Sequence, residues 1–354
     1  MSRTSRCFIG DVEYSIDAPE RIKKLLLDEF DKGGRFKSEH KVRWEIDYRP
    51  ALSVKNHDKK IKKEEKGTFF DTGYTAEVEW ENKRVIIYYD ERILNRPIIS
   101  KIARAWDWSY MSPEEIFVKN SIYDILEPVS HIIMGENGLG FIHSSAISVE
   151  DNEGILFTGE GGVGKTALAI EGFKTGLNYM NDDLSLIDNK GFCYHYPKKL
   201  QIYGYNLHSS RFLKKRLFQK SSILDKIMWK FRYGVNGPSG VRRRVDPAEL
   251  FGGSITNKSR IKNIFFLEND EELGVEPIVK DEFLDKEIEV IKKEFSDFIN
   301  FLKEKEKERY YRFVENTEEL YEHVYEKSGC FKISIPDDMD FKKTFEFIQK
   351  EALP

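Results

Sequence analysis

The stretch that decides the fold runs from Ile155 to Phe173 and reads Ile-Leu-Phe-Thr-Gly-Glu-Gly-Gly-Val-Gly-Lys-Thr-Ala-Leu-Ala-Ile-Glu-Gly-Phe. Its apolar start, Ile155–Thr158, predicts a short buried strand, and the apolar spacing after Thr166 predicts a helix. Between them, Gly159–Thr166 matches the pattern G-x-x-x-x-G-K-[ST], in the strand–loop–helix setting that a phosphate-binding loop requires. An ordinary glycine-rich turn between a strand and a helix is the alternative.

The residue types of this loop suit nucleotide phosphates. Glycines let backbone N–H groups turn toward phosphate oxygens, and the start of a helix adds the positive end of its dipole. Lys165 would bring a positive charge to the outer phosphates, and the hydroxyl of Thr166 would ligate Mg²⁺. We therefore expect ATP and Mg²⁺ to bind here, with the nucleotide held by Gly159, Glu160, Gly161, Gly162, Val163, Gly164, Lys165, Thr166 and Ala167.

Two adjacent carboxylates, Asp182 and Asp183, follow the predicted helix, which Gly176 should end. The run Asn178–Ile187 predicts a strand, and neighbouring residues on a strand point to opposite faces. The two carboxylates can therefore have different roles, one holding Mg²⁺ and the other accepting a proton from an attacking hydroxyl. The chain between Lys165 and the pair is long enough to bring them back beside the phosphates.

The order of these features resembles the HPr serine kinase/phosphorylase superfamily, whose P-loop core is related to phosphoenolpyruvate carboxykinase. The resemblance covers residues 139–188 and rests on His143, the glycine-rich loop, Gly176 and the aspartate pair. It implies an α/β fold with a P-loop on a mixed sheet, preceded here by a smaller, mainly β module.

The resemblance also implies a role for each matched residue. Lys165 would contact the β- and γ-phosphates, Thr166 and Asp182 would hold Mg²⁺, and Asp183 would accept the proton. His143 would lie near the transferred phosphoryl group, although a histidine packed within its strand is the alternative.

The sequence departs from the family pattern at several points. Ser144 and Ser145 stand where the family has Gly-Val after its histidine, and Thr166 replaces serine with its hydroxyl retained. The run Glu-x-Arg-Gly-Leu-Gly-Ile, which the family links to the reverse phosphorolysis, does not occur. The resemblance therefore implies neither phosphorylase activity nor HPr as the acceptor.

The first part of the chain predicts a separate module with no catalytic residues. Val42–Tyr48, Tyr74–Trp80 and Arg84–Tyr89 alternate apolar with polar residues, which is typical of half-buried strands. Lys55–Lys66 is rich in lysine and fits a solvated hairpin loop between the first two strands, or a contact for an acidic partner. We assign residues 1–111 to a mainly antiparallel accessory or substrate-recognition module and residues 112–354 to the ATP-binding domain.

The helix that opens the second domain has local signals. Ser112, Pro113 and Glu115 form a capping-box pattern. Pro128 should kink or split the helix, because proline lacks the N–H that a helix interior needs.

A basic segment follows, over residues 211–244, in which Asp225 is the only acid. Glycines 234, 237 and 240 predict a mobile loop just before Arg242, Arg243 and Arg244. We expect Arg243 and Arg244 to bind phosphate as part of a lid, and a solvated surface is the alternative.

The remaining elements can be read from apolar spacing. Tyr194–Tyr203 should continue the main sheet, Ile261–Leu267 should form a buried strand, and Phe283–Leu302 should form one long amphipathic helix. A strand at Cys330–Ile335 and a helix from about Asp340 should close the chain.

Composition limits the functional classes. The chain has 354 residues and a net charge of −4, which argues against a nucleic-acid binder or a membrane-surface binder that works through bulk charge. The cysteines Cys7, Cys193 and Cys330 are isolated, and no apolar run is long enough to span a bilayer, so we expect a cytoplasmic protein.

Three classes of function fit the sequence. The first is a kinase that transfers phosphate from Mg·ATP to a hydroxyl of a protein, a peptide or a small molecule. The second is a regulatory NTPase that switches a protein partner, and the third is a non-catalytic nucleotide-binding module. The paired carboxylates favour the kinase, and the sequence leaves a homo-oligomer open.

Overall fold

The protein is a mixed α/β chain, and its structure is a computed structural model that describes residues 5–30, 41–50, 68–71, 75–89, 111–149, 152–219, 221–252, 254–337 and 340–352. The described residues pack into two compact units. The first contains residues up to 89 together with 111–140 and 292–316, and the second contains residues 141–291 and 317–352. The boundary expected near residue 112 stays a prediction. None of the described helices is long and apolar enough to cross a bilayer.

The strands are β1 (Ser5–Ile9), β2 (Val12–Asp17), β3 (Val42–Pro50), β4 (Thr68–Asp71), β5 (Thr75–Glu79), β6 (Arg84–Tyr89), β7 (Leu139–Ile142), β8 (Ser144–Ser148), β9 (Glu153–Gly159), β10 (Asn178–Asn181), β11 (Ser185–Asp188), β12 (Phe192–Tyr194), β13 (Leu200–Tyr203), β14 (Arg242–Val245), β15 (Lys258–Asn269), β16 (Gly274–Pro277) and β17 (Gly329–Ile335). The α-helices are α1 (Glu20–Phe30), α2 (Pro113–Ser121), α3 (Glu127–Gly135), α4 (Lys165–Lys174), α5 (Gly204–Ser209), α6 (Arg211–Phe218), α7 (Ile223–Gly240), α8 (Pro247–Phe251), α9 (Lys280–Glu294), α10 (Ser296–Lys305), α11 (Lys307–Lys327) and α12 (Phe341–Ala352).

The first unit contains a six-stranded sheet in the order β1-β2-β3-β6-β5-β4. Trp44, Ile46 and Tyr48 are buried, as the alternation in β3 predicts. The expected hairpin between β3 and β5 is wrong, because β3 pairs in parallel with β2 and β6 instead. The sheet is therefore mixed, since strand partners depend on contacts distant in sequence. The lysine-rich run at 55–66 lies outside the described residues.

The helical region after residue 111 confirms the local signals. Ser112 accepts a hydrogen bond from the backbone N–H of Glu115 at 3.3 Å, and its own N–H donates to the Glu115 carboxylate at 2.6 Å. Helix α2 then widens into a π-helical turn, Ile122–Leu126, before α3 begins. Pro128 sits in the first turn of α3, where its missing N–H costs little.

The second unit contains a nine-stranded sheet, with β10-β8-β9-β15-β12-β11-β7 as its main path. The long strand β15 runs parallel to β9 on one side and parallel to β17 on the other. The carboxyl ends of these three strands therefore lie at one edge of the sheet, which is where ligands bind in open α/β folds. The predicted strands at 261–267 and 330–335 are confirmed as parts of β15 and β17.

Helices α4 and α12 cover one face of this sheet. Leu168 from α4 and Phe345 from α12 join a buried cluster with Phe157, Phe265 and Ile333 of the central strands. This cluster supports the segment where β9 passes into α4. The helix expected from about Asp340 is confirmed as α12.

Several expectations for the second half of the chain are wrong. The helix expected over Phe283–Leu302 is two helices, α9 and α10, which are interrupted at Phe295. Strand β12 belongs to the main sheet, but β13 leaves it and pairs with β14. The expected mobile loop at residues 234–240 is helical in α7, with a break at Gly237, where φ is 71°.

Candidate phosphate-binding site

The glycine-rich loop lies between the carboxyl end of β9 and the first residue of α4. The φ angles of Gly159, Gly162 and Gly164 are 121°, 89° and 109°, values that glycine adopts without strain. Helix α4 begins at Lys165, so its first unpaired N–H groups belong to the loop and the first turn. Thr166 and Ala167 lie in that turn.

Gly164 also has a packing reason to be glycine. A Cβ atom at this position would lie 2.1 Å from a ring carbon of Phe341 at the start of α12. Gly161 differs, because its backbone has an ordinary φ and a Cβ there would meet nothing within 4 Å. The loop is therefore held against α12 at Gly164 and is open at Gly161.

The ammonium group of Lys165 is folded onto the start of its own loop. It donates hydrogen bonds to the carbonyl oxygens of Gly159 and Glu160, each at 2.7 Å. Lys165 is 7% exposed, so its charge lies in a largely desolvated environment. Such a charge acts more strongly on a neighbouring anion than a charge in water does.

Thr166 and Asp182 are in direct contact, although sixteen residues separate them. The Thr166 hydroxyl donates to Asp182 Oδ1 at 2.7 Å, and the Ser145 hydroxyl donates to the same oxygen at 2.5 Å. Burial raises the pKa of Asp182 above its ordinary value, with the nearby charge of Asp183 acting in the same direction. The hydroxyl and the carboxylate are thus gathered at the end of the loop.

Asp183 corrects the expectation of one continuous strand. Strand β10 ends at Asn181 and β11 begins at Ser185, and Asp183 lies between them with a φ of 74°. Its carboxylate accepts a hydrogen bond from Lys198 Nζ at 2.7 Å. Burial alone would raise the pKa of Asp183, but the surrounding charges, with that of Lys198 the largest, and the hydrogen bond from Lys198 together hold it below its ordinary value.

His143 lies between β7 and β8, so it is not within a strand. Burial lowers its pKa to about 3, and the charges of Lys165 and Lys198 act in the same direction. The imidazole is therefore neutral at neutral pH. It belongs to the same charged cluster as Lys165 and Asp183.

A further buried carboxyl group lies behind the loop. Glu287 of α9 is 1% exposed. Burial raises its pKa to about 8, and the neighbouring Thr158 and Lys165 only partly oppose this effect. Glu287 is therefore largely protonated at neutral pH.

Sequence reasoning missed two residues of this site as participants. Ser145 stands out in the sequence only as a departure from the family pattern, yet its hydroxyl binds Asp182. Lys198 gave no signal at all, because its contact with Asp183 depends on the break between β10 and β11 and on the turn after β12. The side chain of Lys198 is 2% exposed. Lysine side chains are rarely this buried unless they pair with a carboxylate, as Lys198 does with Asp183.

The arginines expected to form a lid lie on β14, which pairs with β13. The guanidinium of Arg243 donates to the Ser221 hydroxyl at 3.0 Å and to the Asp225 carboxylate at 2.8 Å. Arg244 is opposite Gln201 in the same ladder. Phosphate binding by Arg243 and Arg244 stays a prediction.

Comparisons with known proteins give limited information. No family model matches the sequence. No curated protein matches it either. Among solved structures, the chain is similar to the Hpr(Ser) kinase/phosphatase from Coxiella burnetii, with 12% identity and a TM-score of 0.29 over 60% of this chain and 96% of that chain. A similarity this low says nothing about activity.

Proposed function

We propose that this protein is a Mg·ATP-dependent phosphotransferase that moves the γ-phosphoryl group to a hydroxyl. The contact between Thr166 and Asp182 carries the proposal, because it joins the first turn after the glycine-rich loop to the aspartate pair. A glycine-rich turn of purely structural origin has no need for a carboxylate at this position. The acceptor class is a protein or peptide serine or a small-molecule alcohol.

The donor set at Thr166 and Asp182 fits Mg²⁺. This ion is usually held by one or two protein oxygens, with phosphate oxygens and waters completing its octahedron. When bound, it would neutralise charge on the phosphates. The hydrogen bond from Thr166 to Asp182 keeps both oxygens at one place before the ion arrives.

Lys165 and the backbone N–H groups would bind the phosphates. The Lys165 ammonium would exchange its carbonyl partners at Gly159 and Glu160 for phosphate oxygens. In this buried setting it would stabilise negative charge that develops during transfer.

Asp183 would orient the acceptor hydroxyl and receive its proton. The ion pair with Lys198 keeps the carboxylate charged and fixes its position. Neutral His143 offers one acceptor and one donor nitrogen near the same place without adding positive charge. Proton transfer and positioning would thus come from residues on one side of the loop.

The test uses γ-labelled ATP with Mg²⁺ and cell extract as the source of acceptor, with Lys165→Ala compared against Lys174→Ala. Both residues are lysines of α4, but Lys174 is paired with Glu171 at the far end of the helix. We expect label transfer with the wild type and Lys174→Ala, and loss of at least a hundredfold with Lys165→Ala. Equal transfer by both variants would refute the phosphate-binding role of the loop.

A further inference from the structure

A cavity of about 370 Å³ adjoins the glycine-rich loop on its other flank. The loop contributes Glu160, Gly161 and Val163, and the rest of the wall comes from the carboxyl end of β15 and from α9. Its volume lies in the range of small-molecule sites. A Cβ at Gly161 would meet nothing within 4 Å, so no other atom fills the space beside this lining residue.

The strand order places this cavity opposite the aspartate pair. Asp182 follows β10, which is separated from β9 by β8, whereas β15 pairs with β9 on its other side. A nucleotide with its phosphates on the loop and its terminal phosphate toward Asp183 would have its other end toward β15. The cavity lies where that end would be.

The charges in the cavity disfavour phosphate. Glu160, Glu268 and Glu289 line it. The ammonium of Lys286, the one lysine among its lining residues, is already paired with the carboxylate of Glu268. Carboxylates repel phosphate oxygens but accept hydrogen bonds from hydroxyl and amino groups.

The apolar part of the wall suits a flat ring. Val163, Leu267 and Val290 are buried and form an apolar surface beside the carboxylates. A nucleoside combines an aromatic ring with hydroxyl and amino donors, and it carries no charge.

We propose that this cavity binds the nucleoside part of the nucleotide whose phosphates lie on the Gly159–Thr166 loop. This proposal rests on the proposed function, because it takes the loop to be a phosphate site. It assigns specificity for the base and sugar to the end of β15 and to α9.

The test compares the binding of Mg·ATP with that of Mg·tripolyphosphate, which has the phosphates but no nucleoside. Glu289→Trp should fill the mouth of the cavity, and Asp285→Trp is the matched control, an exposed acidic residue of α9 that does not line it. We expect wild type to bind ATP at least about tenfold more tightly than tripolyphosphate. Glu289→Trp should weaken ATP about tenfold and leave tripolyphosphate unchanged, while Asp285→Trp changes neither.

The outcomes separate the two proposals. Two results would overturn the cavity proposal: equal affinity for ATP and tripolyphosphate, or a Glu289→Trp variant that binds ATP as tightly as the wild type. If Lys165→Ala still weakens the binding of tripolyphosphate, the proposed function stands and only the cavity proposal falls. A wild-type protein that binds neither ligand would overturn both the cavity proposal and the proposed function.

A second, independent observation concerns the surface of α7. Ile223, Leu224, Ile227, Phe231 and Val235 are between 54% and 76% exposed and recur at helical spacing on one face. Lys226 and Lys230 are exposed at the edge of this stripe, and Trp229 and Arg232 bury the opposite face. A helix that turns its apolar side outward is typical of an interface.

Charge and size favour one kind of partner. Antiparallel pairing with a second copy across a two-fold axis would bring these lysines together, and Asp225, the only acid in 211–244, already binds Arg243. One helix face also covers less area than a stable protein complex buries on each partner, roughly 800 Å². A lipid surface needs only apolar side chains with cations at their edge.

We infer that α7 binds the surface of anionic membranes. The test is co-sedimentation with phosphatidylcholine vesicles, with and without phosphatidylserine. Phe231→Ser should abolish binding, Lys226→Glu with Lys230→Glu should remove the preference for phosphatidylserine, and Tyr311→Ser, a change at another exposed aromatic residue, should have no effect. Absence of vesicle binding, or self-association that Phe231→Ser prevents, would overturn this inference.

Discussion

Both the conformation of the loop and its packing against Phe341 require glycine at position 164. Gly164→Ala introduces a Cβ atom into the space of the Phe341 ring, at a φ of 109° that alanine adopts only with strain. We expect a loss of about 1–3 kcal/mol in the free energy of unfolding. Gly161→Ala is the control and should unfold like the wild type in urea. Equal urea midpoints for the two variants would contradict this account.

The aspartate pair allows a separation of roles. Asp183→Asn keeps the shape of the side chain but removes its charge, so we expect ATP to bind and transfer to fall at least a hundredfold. Asp182→Asn should instead raise the Mg²⁺ concentration needed for half-maximal ATP binding, because a metal ligand loses its charge. If Asp182→Asn binds Mg·ATP normally and abolishes transfer, the two roles are reversed.

Lys198 provides a check on the Asp183 variant. Asp183→Asn leaves the Lys198 ammonium buried without its carboxylate, which costs stability as well as activity. The double variant Asp183→Asn with Lys198→Met should regain thermal stability but not transfer. Recovery of transfer in the double variant would show that Asp183 acts only by neutralising Lys198.

Glu287 predicts a pH dependence of stability. Because burial raises its pKa from 4.5 to about 8, the folded state holds a proton that the unfolded state releases between these values. Above pH 4.5 the carboxyl group ionises in the unfolded state but stays protonated in the folded state. The free energy of unfolding should therefore fall as pH rises from about 4.5 to 8. Glu287→Gln should raise the melting temperature more at pH 8 than at pH 5, whereas Asp285→Asn, at an exposed position of the same helix, should not. A pH-independent effect of Glu287→Gln would contradict the buried, protonated state.

At the scale of single residues, the sequence predicted the glycine-rich loop between a strand and a helix because its residues form one contiguous pattern. It also predicted different roles for Asp182 and Asp183 from alternation along one strand; the roles stay a prediction, and the two residues do not lie on one strand. Their side chains have different partners because Asp183 has a left-handed backbone and binds Lys198, whereas Asp182 binds Thr166. Neither follows from local sequence, because the partner of Asp183 is set by the path of the chain after β12.

At the scale of elements, local signals were reliable and distant pairings were not. The cap at Ser112 and the end of α4 before Gly176 involve residues within one or two helical turns, and both were predicted correctly. The parallel pairing of β3 with β6 and the departure of β13 from the main sheet depend on contacts between separated segments. Glycines 234, 237 and 240 indicated a loop because glycine has a low helix propensity, but the chain there is helical with a break at Gly237.

The contact between β14 and α7 carries the prediction for the arginines. Arg243→Gln removes the 2.8 Å ion pair with Asp225, so we expect trypsin to cleave the α7 segment faster. The change in overall stability should stay within about 1 kcal/mol, because the pair is partly exposed. Arg216→Gln, at an exposed position on α6, is the control. If Mg·ATP slows cleavage of the wild type but not of Arg243→Gln, this result supports a lid role for Arg243. Equal cleavage of both proteins, with and without Mg·ATP, would contradict that role.

At the scale of the whole molecule, the first unit takes residues from three parts of the chain. The hydroxyl of Tyr14 in its sheet is hydrogen-bonded to that of Ser130 at 2.8 Å, and the hydroxyl of Tyr48 to that of Ser121 at 2.8 Å. Both serines lie beyond residue 112. Residues 292–316 belong to the same unit. The apolar surfaces of these later segments therefore pack within a unit that a cut near residue 112 would divide.

This arrangement predicts the behaviour of a chain that begins at residue 112. Removal of residues 1–111 would expose Phe117, which packs against Tyr48 with ring centroids 5.8 Å apart, and would take the tyrosine partners from the buried Ser121 and Ser130. We expect the shortened chain to aggregate, or to bind a hydrophobic dye and lose cooperative thermal unfolding, because exposed apolar surface on this scale is not tolerated in monomers. The full chain and its Tyr48→Phe variant, which loses one hydrogen bond but keeps the ring, are the controls and should unfold cooperatively. A monomeric, cooperatively unfolding 112–354 chain with full affinity for Mg·ATP would instead establish residue 112 as a domain boundary.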